Sequence, residues 1–520
     1  MPLMSPAEHA FAKAISKLVY VNPFLPDRIA AEREALGDEF REGETVWSIQ
    51  PDSDRERSNI HRLQQRVEAL AEELRRRLAA GTRASREELT LYEDLVVYLL
   101  YYRTVVAMSE FVLQPPAAGK VSAKAPRRKV PFYRDFVADE EHFFNVPGVE
   151  MPDRVSAPHL FACFFQIRRA FYHIFSHIVG GSLAAARLRA SAWQSIFTHD
   201  LRRYWRVLHR HMGDIATLIV GASGTGKEIV ARAIGLSRYI PFDPETQSFA
   251  EDFTGSFYPL NLSALSPTLI ESELFGHRRG AFTGALEDRA GWLEVCPPLG
   301  TVFLDEIGDV GPAIQVKLLR VLHSRTFQRL GDTETRRFGG KVIAATNRDL
   351  SAEMRSGRFR EDFYYRLCSD IITTPTLREQ LAGSPQELHR LVLFIARNVA
   401  GEEAEHVAGE VERFVERELG HDYAWPGNFR ELEQCVRNVM IRREYRPPSR
   451  QALEPAEELA EAINAGSLTA DELLRRYVTL IYARTQNYEE TARRLGLDRR
   501  TVKAKVDPDA FRGTRLAAGG

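Results

Sequence analysis

Apolar positions in the first part of the chain follow a helical spacing. In "IHRLQQRVEALAEELRRRL" they fall at Ile60, Leu63, Val67, Leu70 and Leu74, three and four residues apart in turn. Such a short heptad pattern is typical of a helix packed on its own domain, and an intermolecular coiled coil is the alternative. The stretches "LTLYEDLVVYLLYYRTVVAMSEFVL" and "HLFACFFQIRRAFYHIFSHIV" are apolar but interrupted by charges, which favours core helices over membrane spans. We predict a mainly helical region over residues 1–185.

From 186 to 446 the pattern changes to short, continuous apolar runs that alternate with helical stretches. The runs "ATLIVG", "TVFLDE" and "KVIAATN" are typical of buried parallel strands. This alternation predicts an α/β fold. A polar segment with several prolines, which we assign to a linker over 447–467, then leads into a small helical segment over 468–520.

Composition changes this picture little. The chain has 520 residues, enough for several domains, and its 44% of hydrophobic residues is ordinary for a soluble protein. Lys and Arg (70) nearly balance Asp and Glu (71), so any contact with nucleic acid must use a local patch. The four cysteines are scattered without metal-ligand spacing, and the start lacks the pattern of a secretory signal, so we expect a cytoplasmic protein.

A glycine-rich loop follows the first of the predicted strands. In "LIVGASGTGKE" it precedes a helical stretch, so its backbone N–H groups can point at phosphate oxygens while Lys227 reaches the β- and γ-phosphates. A chance glycine-rich turn is the alternative. The expected nucleotide-binding residues of this loop are Gly221, Ala222, Ser223, Gly224, Thr225, Gly226, Lys227 and Glu228.

Two adjacent carboxylates end a second predicted strand. Asp305 and Glu306 in "TVFLDEIGD" suit coordination of Mg²⁺ and activation of a water molecule beside a bound triphosphate. An ordinary strand-terminating turn would also explain them. Together with the glycine-rich loop they predict hydrolysis of a nucleotide, with Mg²⁺ as the metal.

The stretch "ESELFGHRRGAFTGA" carries an aromatic residue, Phe282, between glycines, and we expect its ring to be exposed, which suits contact with a partner better than an inert loop. With the two motifs above, it closely resembles the AAA+ domain of bacterial enhancer-binding proteins, the activators of the sigma-54 form of RNA polymerase. The resemblance implies ATP as the nucleotide, an α/β ATPase subdomain over 186–372 and a helical lid over 373–446. It also implies that the loop contacts sigma-54 through Gly280, Ala281, Phe282, Thr283, Gly284 and Ala285.

The same resemblance assigns further roles. It implies that Asn261 is a switch amide holding the catalytic Glu306, for which a strand-end cap is the alternative reading. It implies that Asn347 and Arg430 are sensors that contact the nucleotide from the sheet and from the lid. The family's loop also ends in Lys-Glu, so Glu228 is not an anomaly, but the connection between Ala231 and Asn261 is longer than usual and predicts an extra surface loop.

Two arginines in "GRFREDFYYRL", Arg360 and Arg366, resemble those that reach the nucleotide site of a neighbouring subunit. A guanidinium stabilises charge on the transferring phosphoryl group, so such arginines make hydrolysis depend on ring assembly. Surface salt bridges are the alternative. The resemblance implies a hexameric ring.

The C-terminal segment "YEETARRLGLDRRTVKAKV" has the features of a helix-turn-helix. Gly496 permits a sharp turn, Asp498 can cap the second helix, and residues 491–506 carry six basic side chains against one acid. It resembles the Fis-type domain of the same activators, whose second helix enters the major groove; a charged surface helix pair is the alternative. Candidate contacts to double-stranded DNA are Arg499, Arg500, Thr501 and Lys503.

We therefore predict a sigma-54 dependent transcriptional activator that binds DNA upstream and uses ATP hydrolysis to remodel the polymerase complex. The N-terminal region matches neither a phosphate-receiver domain nor an α/β sensor, and we assign it as a helical regulatory domain. One rival is an AAA+ remodeller of another protein. The other is a DNA-binding regulator that only senses ATP.

Overall fold

The computed structural model describes residues 2–42, 58–113, 128–251, 256–382, 386–420, 422–447, 459–460, 462–463, 466–485 and 487–507. The chain divides into two compact units, Met1–Arg443 and Glu444–Gly520. Much of the predicted linker over 447–467 lies outside the described residues.

The first unit begins with a helical region. Its helices are α1 (Pro6–Tyr20), α2 (Pro26–Leu36), α3 (Ser58–Ala79), α4 (Arg86–Leu113), α5 (Tyr133–Phe144), α6 (Ala157–His177), α7 (Leu183–Phe197) and α8 (Leu201–Arg206). The heptad residues Leu63, Val67 and Leu74 of α3 are fully buried. This helix therefore packs within its own unit, as its pattern favoured.

Helix α4 is long and apolar enough to cross a membrane by length and composition, and half of its most apolar segment is buried inside this unit. Its Asp94 is buried and accepts hydrogen bonds from the Ser16 hydroxyl at 2.6 Å and the Tyr20 hydroxyl at 2.7 Å. Asp94 also pairs with Arg202. The charges that interrupt the apolar pattern thus join α4 to α1 and α8.

A parallel sheet of five strands follows, in the order β4-β5-β8-β1-β9. The strands of the unit are β1 (Thr217–Val220), β2 (Phe242–Asp243), β3 (Ser248–Phe249), β4 (Phe257–Asn261), β5 (Thr301–Asp305), β6 (Thr326–Phe327), β7 (Arg336–Arg337), β8 (Lys341–Thr346) and β9 (Asp370–Thr373). The pairs β2–β3 and β6–β7 are antiparallel hairpins. The three predicted strand runs are β1, β5 and β8, and they are adjacent in the sheet.

Helices surround this sheet and form the lid after it. They are α9 (Lys227–Gly235), α10 (Pro267–Phe275), α11 (Trp292–Val295), α12 (Pro312–Ser324), α13 (Leu350–Arg355), α14 (Glu361–Leu367), α15 (Leu377–Leu381), α16 (Glu387–Ala400), α17 (Ala404–Phe414) and α18 (Asn428–Arg442). This is the AAA+ arrangement of an α/β ATPase core with a helical lid that the resemblance implied.

One hydrophobic core joins the helical region to one face of the sheet. It contains Phe161 and Phe165 of α6 together with Ile219 of β1 and Ile234 of α9. The predicted boundary between 185 and 186 falls inside α7, and the core crosses it. The division into domains stays a prediction, but the helical region and the sheet share their packing.

The long connection between Ala231 and Asn261 was expected to form an extra surface loop. Its described part instead holds the hairpin β2–β3, whose Phe242 and Phe249 are buried. The Phe249 ring stacks on Phe165 of α6 with centroids 4.0 Å apart. The expectation was wrong for this hairpin, because its two aromatic residues pack the ATPase core against the helical region.

The second unit contains α19 (Ala470–Thr485), α20 (Tyr488–Leu495) and α21 (Arg499–Lys505). Val478, Ala492 and Val502, one from each helix, form its buried core. Gly496 ends α20 with a φ of 66°, in the left-handed region that favours glycine. Asp498 caps α21 by accepting a hydrogen bond from the Thr501 N–H, as predicted.

Candidate functional site: a nucleotide site at the carboxyl ends of the sheet strands

The glycine-rich loop runs from the end of β1 to the start of α9. Gly221, Gly224 and Gly226 have φ values of 156°, 77° and 87°, which residues with a side chain rarely adopt. A Cβ on Gly221 would lie 2.1 Å from the Thr374 hydroxyl, and one on Gly224 would lie 2.3 Å from the Gly427 carbonyl. The loop therefore needs glycine for both its backbone conformation and its close packing.

Lys227, the first residue of α9, is buried and donates to the carbonyls of Gly221 at 3.0 Å and Ala222 at 3.2 Å. Burial lowers the pKa of its ammonium, and the nearby carboxylates of Glu306 and Asp305 oppose that change. Glu228 is exposed and lies 3.6 Å from Arg232, one helical turn later. Phosphate oxygens would give the Lys227 ammonium an anionic partner in place of two neutral carbonyls.

The carboxylates lie at the end of β5. Burial and the neighbouring Glu306 raise the pKa of Asp305. Glu306 has a φ of 55° in the left-handed region, and its carboxylate accepts a 3.2 Å hydrogen bond from the Asn347 N–H after β8. A divalent cation beside the half-buried Asp305 would offset the cost of its charge, so this carboxylate fits Mg²⁺.

Asn261 ends β4, directly opposite Asp305 in the parallel register. Its amide donates to the Asp305 carboxylate at 3.4 Å and its carbonyl oxygen accepts from the Ser263 N–H at 3.0 Å. The expected partner was Glu306, but in this structure the amide contacts the preceding carboxylate, that of Asp305. The reason is the register, which places β4 beside β5 while the left-handed Glu306 turns toward β8.

The lid contacts the glycine-rich loop from its opposite side. Arg430 of α18 donates to the Ser223 hydroxyl at 3.2 Å, which places this predicted sensor at the loop. Asn428 donates to the Ser223 carbonyl at 3.0 Å, and the Phe429 N–H donates to the Gly224 carbonyl at 3.0 Å. Asn428 also accepts from the Leu377 N–H at 2.9 Å, joining α15, α18 and the loop.

The sequence argument missed Asn428, Phe429 and Thr374 as parts of this site. The Thr374 hydroxyl lies 2.7 Å from that of Thr225, next to the loop. A signal for Asn428 was present in "WPGNFREL", because Asn tolerates the left-handed conformation that this residue adopts with a φ of 51°. Nothing in the local sequence around Thr374 pointed to the loop.

The two predicted trans arginines lie on α14 and just before it. Arg360 is exposed and pairs with Asp362 at 2.7 Å, while its N–H donates to the Gln315 side chain. Arg366 donates to the Leu322 carbonyl at 3.3 Å and lines a surface groove with Tyr365 and His323. The structure thus brings both arginines to one surface, and Arg360 already has a carboxylate partner there.

The loop with the glycine-bounded aromatic is a short hairpin. The Gly280 N–H donates to the Ala285 carbonyl at 2.8 Å and closes it, and both Gly280 and Gly284 have positive φ with open space around them. Thr283 is exposed at the tip, but Phe282 is half-buried and its ring lies 5.0 Å from that of His277. The argument that Phe282 is an exposed ring was therefore wrong for this state.

The base of this hairpin is held by charges and by a neighbouring loop. Arg278 lies 2.6 Å from Asp288 and 3.1 Å from Asp332, which belongs to the segment between β6 and β7. A Cβ on Gly331 would lie 2.9 Å from that of Ala281, so the two loops touch. The base is anchored while the tip has room to move.

In the second unit the predicted DNA contacts lie on α21. Arg499, Arg500 and Lys503 are exposed, and Arg499 lies 3.0 Å from Glu489. The Thr501 hydroxyl donates to Asp498, so this side chain serves the helix cap. Arg500 and Lys503 form no ion pair within the described part of the chain, which leaves their charges available on the surface.

The central part of the chain matches a known domain family. The sigma-54 interaction domain family matches residues 198–373, which include the glycine-rich loop, Asp305, Glu306 and the hairpin at 280–285. Over these residues the chain is similar to the sigma-54 enhancer-binding proteins. Its sigma-54 interaction domain has the fold of a nucleotide-hydrolysing AAA+ ATPase.

Relatives share this domain over part of their length. A Nif-specific regulatory protein of Azotobacter vinelandii is 42% identical over 224 residues, which are 43% of this chain and 39% of that protein. The transcriptional regulatory protein ZraR of Escherichia coli O157:H7 is 39% identical over 298 residues, 56% of this chain and 63% of ZraR. The chain thus spans less than two thirds of these curated relatives.

Among solved structures, NtrX from Brucella abortus in complex with ATP aligns with a TM-score of 0.38 and 23% identity, over 71% of this chain and 79% of that one.

Proposed function

We propose that this protein hydrolyses ATP and uses the reaction to activate transcription by sigma-54 RNA polymerase. The observation that carries the proposal is that one domain, matched over 198–373, holds the set of the glycine-rich loop, Asp305 and Glu306 together with the glycine-bounded hairpin at 280–285. The first set accounts for hydrolysis, and the hairpin accounts for contact with the polymerase.

Phosphate binding is assigned to the glycine-rich loop and Lys227. Helix α9 begins at Lys227 directly after the loop, so the N–H groups of its first turn and the Lys227 ammonium both favour negative charge at this end of the helix. Asp305 would hold Mg²⁺, which neutralises phosphate charge when bound. Lys227 would exchange its contacts with the Gly221 and Ala222 carbonyls for phosphate oxygens.

Proton transfer is assigned to Glu306. Its carboxylate is oriented by the Asn347 N–H, and it would accept a proton from the attacking water. Asn261 donates to the Asp305 carboxylate, one residue before Glu306, and this position at the end of β5 supports a switch role for its amide. Arg430 and Asn428 would report the state of the loop to the lid.

Arg360 and Arg366 are proposed to act on the nucleotide of a neighbouring subunit in a hexameric ring. We expect Arg360→Ala and Arg366→Ala each to lower ATP turnover at least about tenfold, because each removes a cation from the transition state. Mixing either variant with Lys227→Ala protein should restore part of the turnover, since an interface between two different defective subunits can contain an intact site.

Steady-state ATPase assays with varied mixing ratios measure this effect. Arg355→Ala is the matched control, because Arg355 is also exposed and lies on the preceding helix. Sedimentation of each variant establishes whether it assembles. Assembled variants that fail to complement would contradict action in trans.

DNA binding is assigned to α21 of the second unit. Arg500→Ala should weaken binding to a mixed-sequence duplex and reduce the slope of log K against log salt by about one, because one phosphate contact is lost. Fluorescence anisotropy at several salt concentrations measures both quantities. Arg484→Ala removes the same charge at an exposed position of α19 and should change neither the affinity nor the salt dependence. If the two variants bind DNA equally well, the helices of the second unit would serve assembly instead.

The proposed function is tested by open-complex formation on a sigma-54 promoter with purified full-length protein and sigma-54 polymerase. We expect opening with ATP and none with a non-hydrolysable analogue, and no effect on a promoter of another sigma class. Turnover without opening would favour the remodeller of another protein, and opening without turnover would favour the regulator that only senses ATP. The proposed location of this activity is the cytoplasm.

A further inference from the structure

A cavity of about 660 Å³ lies between the helical region and the ATPase core, at the amino ends of the sheet strands. Its walls include His159 of α6, Trp205 of α8, Arg210 after α8, Arg238 after α9 and Lys341, the first residue of β8. The glycine-rich loop follows the carboxyl end of β1, so this cavity is separate from the nucleotide site. Its volume is in the range of small-molecule binding pockets.

The charge of the lining has one sign. No Asp or Glu lines the cavity, and its cationic side chains are Arg206, Arg210, Arg238 and Lys341. His159 and His209 also line it, but burial lowers the pKa of both, that of His209 to about 4, which favours their neutral forms. Arg206 pairs with Asp153, which lies outside the lining. Low-dielectric walls with charges of one sign concentrate the opposite charge, so the cavity favours an anion.

Two of these cations, Lys341 and Arg238, donate hydrogen bonds to backbone carbonyls and not to a carboxylate that the structure describes. Lys341 is 3% exposed and donates to the carbonyls of Ile215 at 2.8 Å and Met212 at 3.4 Å. Arg238 donates to the carbonyls of Pro298 and Gly300. Neither forms an ion pair within the described residues, so each charge is hydrogen-bonded but not neutralised.

The pKa values agree with this reading. Burial lowers the pKa of Lys341 to about 7, with Asp370 opposing the change and Arg238 and Arg325 adding to it. Burial also lowers the pKa of Arg238. The protein alone therefore carries these charges at a cost, which an anionic ligand would reduce.

The rest of the lining is largely apolar and aromatic. Trp205, Tyr204 and Tyr239 provide rings, and further apolar surface comes from Val155, Ile196, Met212, Ile234, Pro241 and Leu299. The Tyr239 hydroxyl is already hydrogen-bonded to His159 at 2.7 Å, and Tyr204 to Gln166. These rings therefore offer packing surface, and the specific polar contacts are left to the cations.

We propose that this cavity binds a small organic anion, one with an apolar body and a carboxylate or phosphate group, between the helical region and the ATPase core. The body packs on the rings while the acid group lies against Arg210, Arg238 and Lys341. Helix α9 begins at Lys227 of the nucleotide site, and the chain just after its end lines the cavity. Since α6 and α8 of the helical region line the cavity as well, the ligand contacts both regions at once. This proposal is independent of ATP hydrolysis and of sigma-54.

The test is isothermal titration of the full chain with 2-naphthoate, 2-naphthyl phosphate and the neutral 2-naphthylmethanol. The Lys227→Ala background excludes binding of the phosphate probe at the glycine-rich loop. We expect at least one anionic probe to bind at least about tenfold more tightly than the alcohol, because one charge-assisted contact is sufficient for that difference. Tighter binding of the phosphate or of the carboxylate identifies the acid group.

Arg210→Glu should weaken binding of the preferred anion about tenfold or more, and because Arg210 is exposed the substitution should leave the fold unchanged. Arg203→Glu is the control, since Arg203 is exposed on α8 but does not line the cavity. Arg238→Gln is a second variant from the buried wall. Equal affinity for the alcohol and both anions, or unchanged anion affinity in Arg210→Glu and Arg238→Gln, would overturn the proposal.

Discussion

Glu306→Gln should lower ATP turnover by about 10²- to 10⁴-fold while leaving nucleotide affinity within a few-fold of the wild type, because the change removes a general base and no phosphate contact. The substitution is close to isosteric. The glutamine side-chain oxygen can still accept from the Asn347 N–H, as Glu306 does at 3.2 Å. The left-handed backbone at this position strains both residues alike, so the fold of the loop should persist.

Lys227→Ala should have the opposite effect, because its primary defect is the loss of nucleotide binding rather than of turnover by the bound enzyme. The ammonium is the buried cation of the loop, and its charge is what phosphate oxygens would contact. Nucleotide affinity is measured by fluorescence titration, and turnover by release of phosphate under saturating ATP. The control for Glu306→Gln is Glu402→Gln, which removes one carboxylate at an exposed position of the lid and should change neither quantity.

Comparison of the two variants decides the assignment. Normal turnover in Glu306→Gln would show that another group accepts the proton, and Asp305, one residue earlier, would be the first to examine. Retained affinity in Lys227→Ala would mean that backbone N–H groups alone hold the phosphates. Either result would require a different division of roles between the loop and the end of β5.

The site was predictable from sequence where one short motif contains its own geometry. The loop from Gly221 to Lys227 is such a motif, since its glycines determine the backbone and its lysine follows at the start of a helix. Asp305 and Glu306 were equally accessible, because a parallel strand carries its last residues to a fixed edge of the sheet. These residues meet because β1 and β5 both flank β8.

Contacts between distant segments could not be predicted in this way. The hydrogen bonds of Asn428 and Phe429 to the loop join segments about 205 residues apart, as the Asn428 to Ser223 pair shows. The pairing of Asn261 with Asp305 depends on strand register, and the burial of Phe242 and Phe249 depends on helix α6. Each follows from tertiary packing, which no local pattern specifies.

Phe282 shows the same limit within the hairpin. Its spacing between glycines indicated an exposed ring, but the tertiary structure places His277 beneath it, 5.0 Å between ring centroids. A half-buried aromatic can rest on this surface in one state and leave it in another, since Gly280 and Gly284 have free space for a change in backbone angles. The structure therefore adds a resting position to the proposed function of the hairpin.

Thr283→Ala should abolish open-complex formation on a sigma-54 promoter while ATP turnover stays within about twofold of the wild type. Thr283 is exposed at the hairpin tip, and the bonds that close the hairpin come from the backbone of Gly280 and Ala285. Its removal should therefore leave the fold unchanged and cost less than about 0.5 kcal/mol of stability. The loss would fall on the proposed contact between the hairpin tip and the polymerase.

Phe282→Ala should likewise abolish open-complex formation and leave ATP turnover unchanged. It should also cost a little stability, because the ring contact with His277 is lost. Thr333→Ala is the matched control, because Thr333 is exposed on the adjacent loop between β6 and β7 but lies outside the hairpin. Both assays are run on the same purified preparations. If Thr283→Ala and Phe282→Ala hydrolyse ATP and still open the promoter, the hairpin does not couple the two activities. The ATPase would then contact the polymerase through another surface, because its phosphate site is independent of the residues at the hairpin tip.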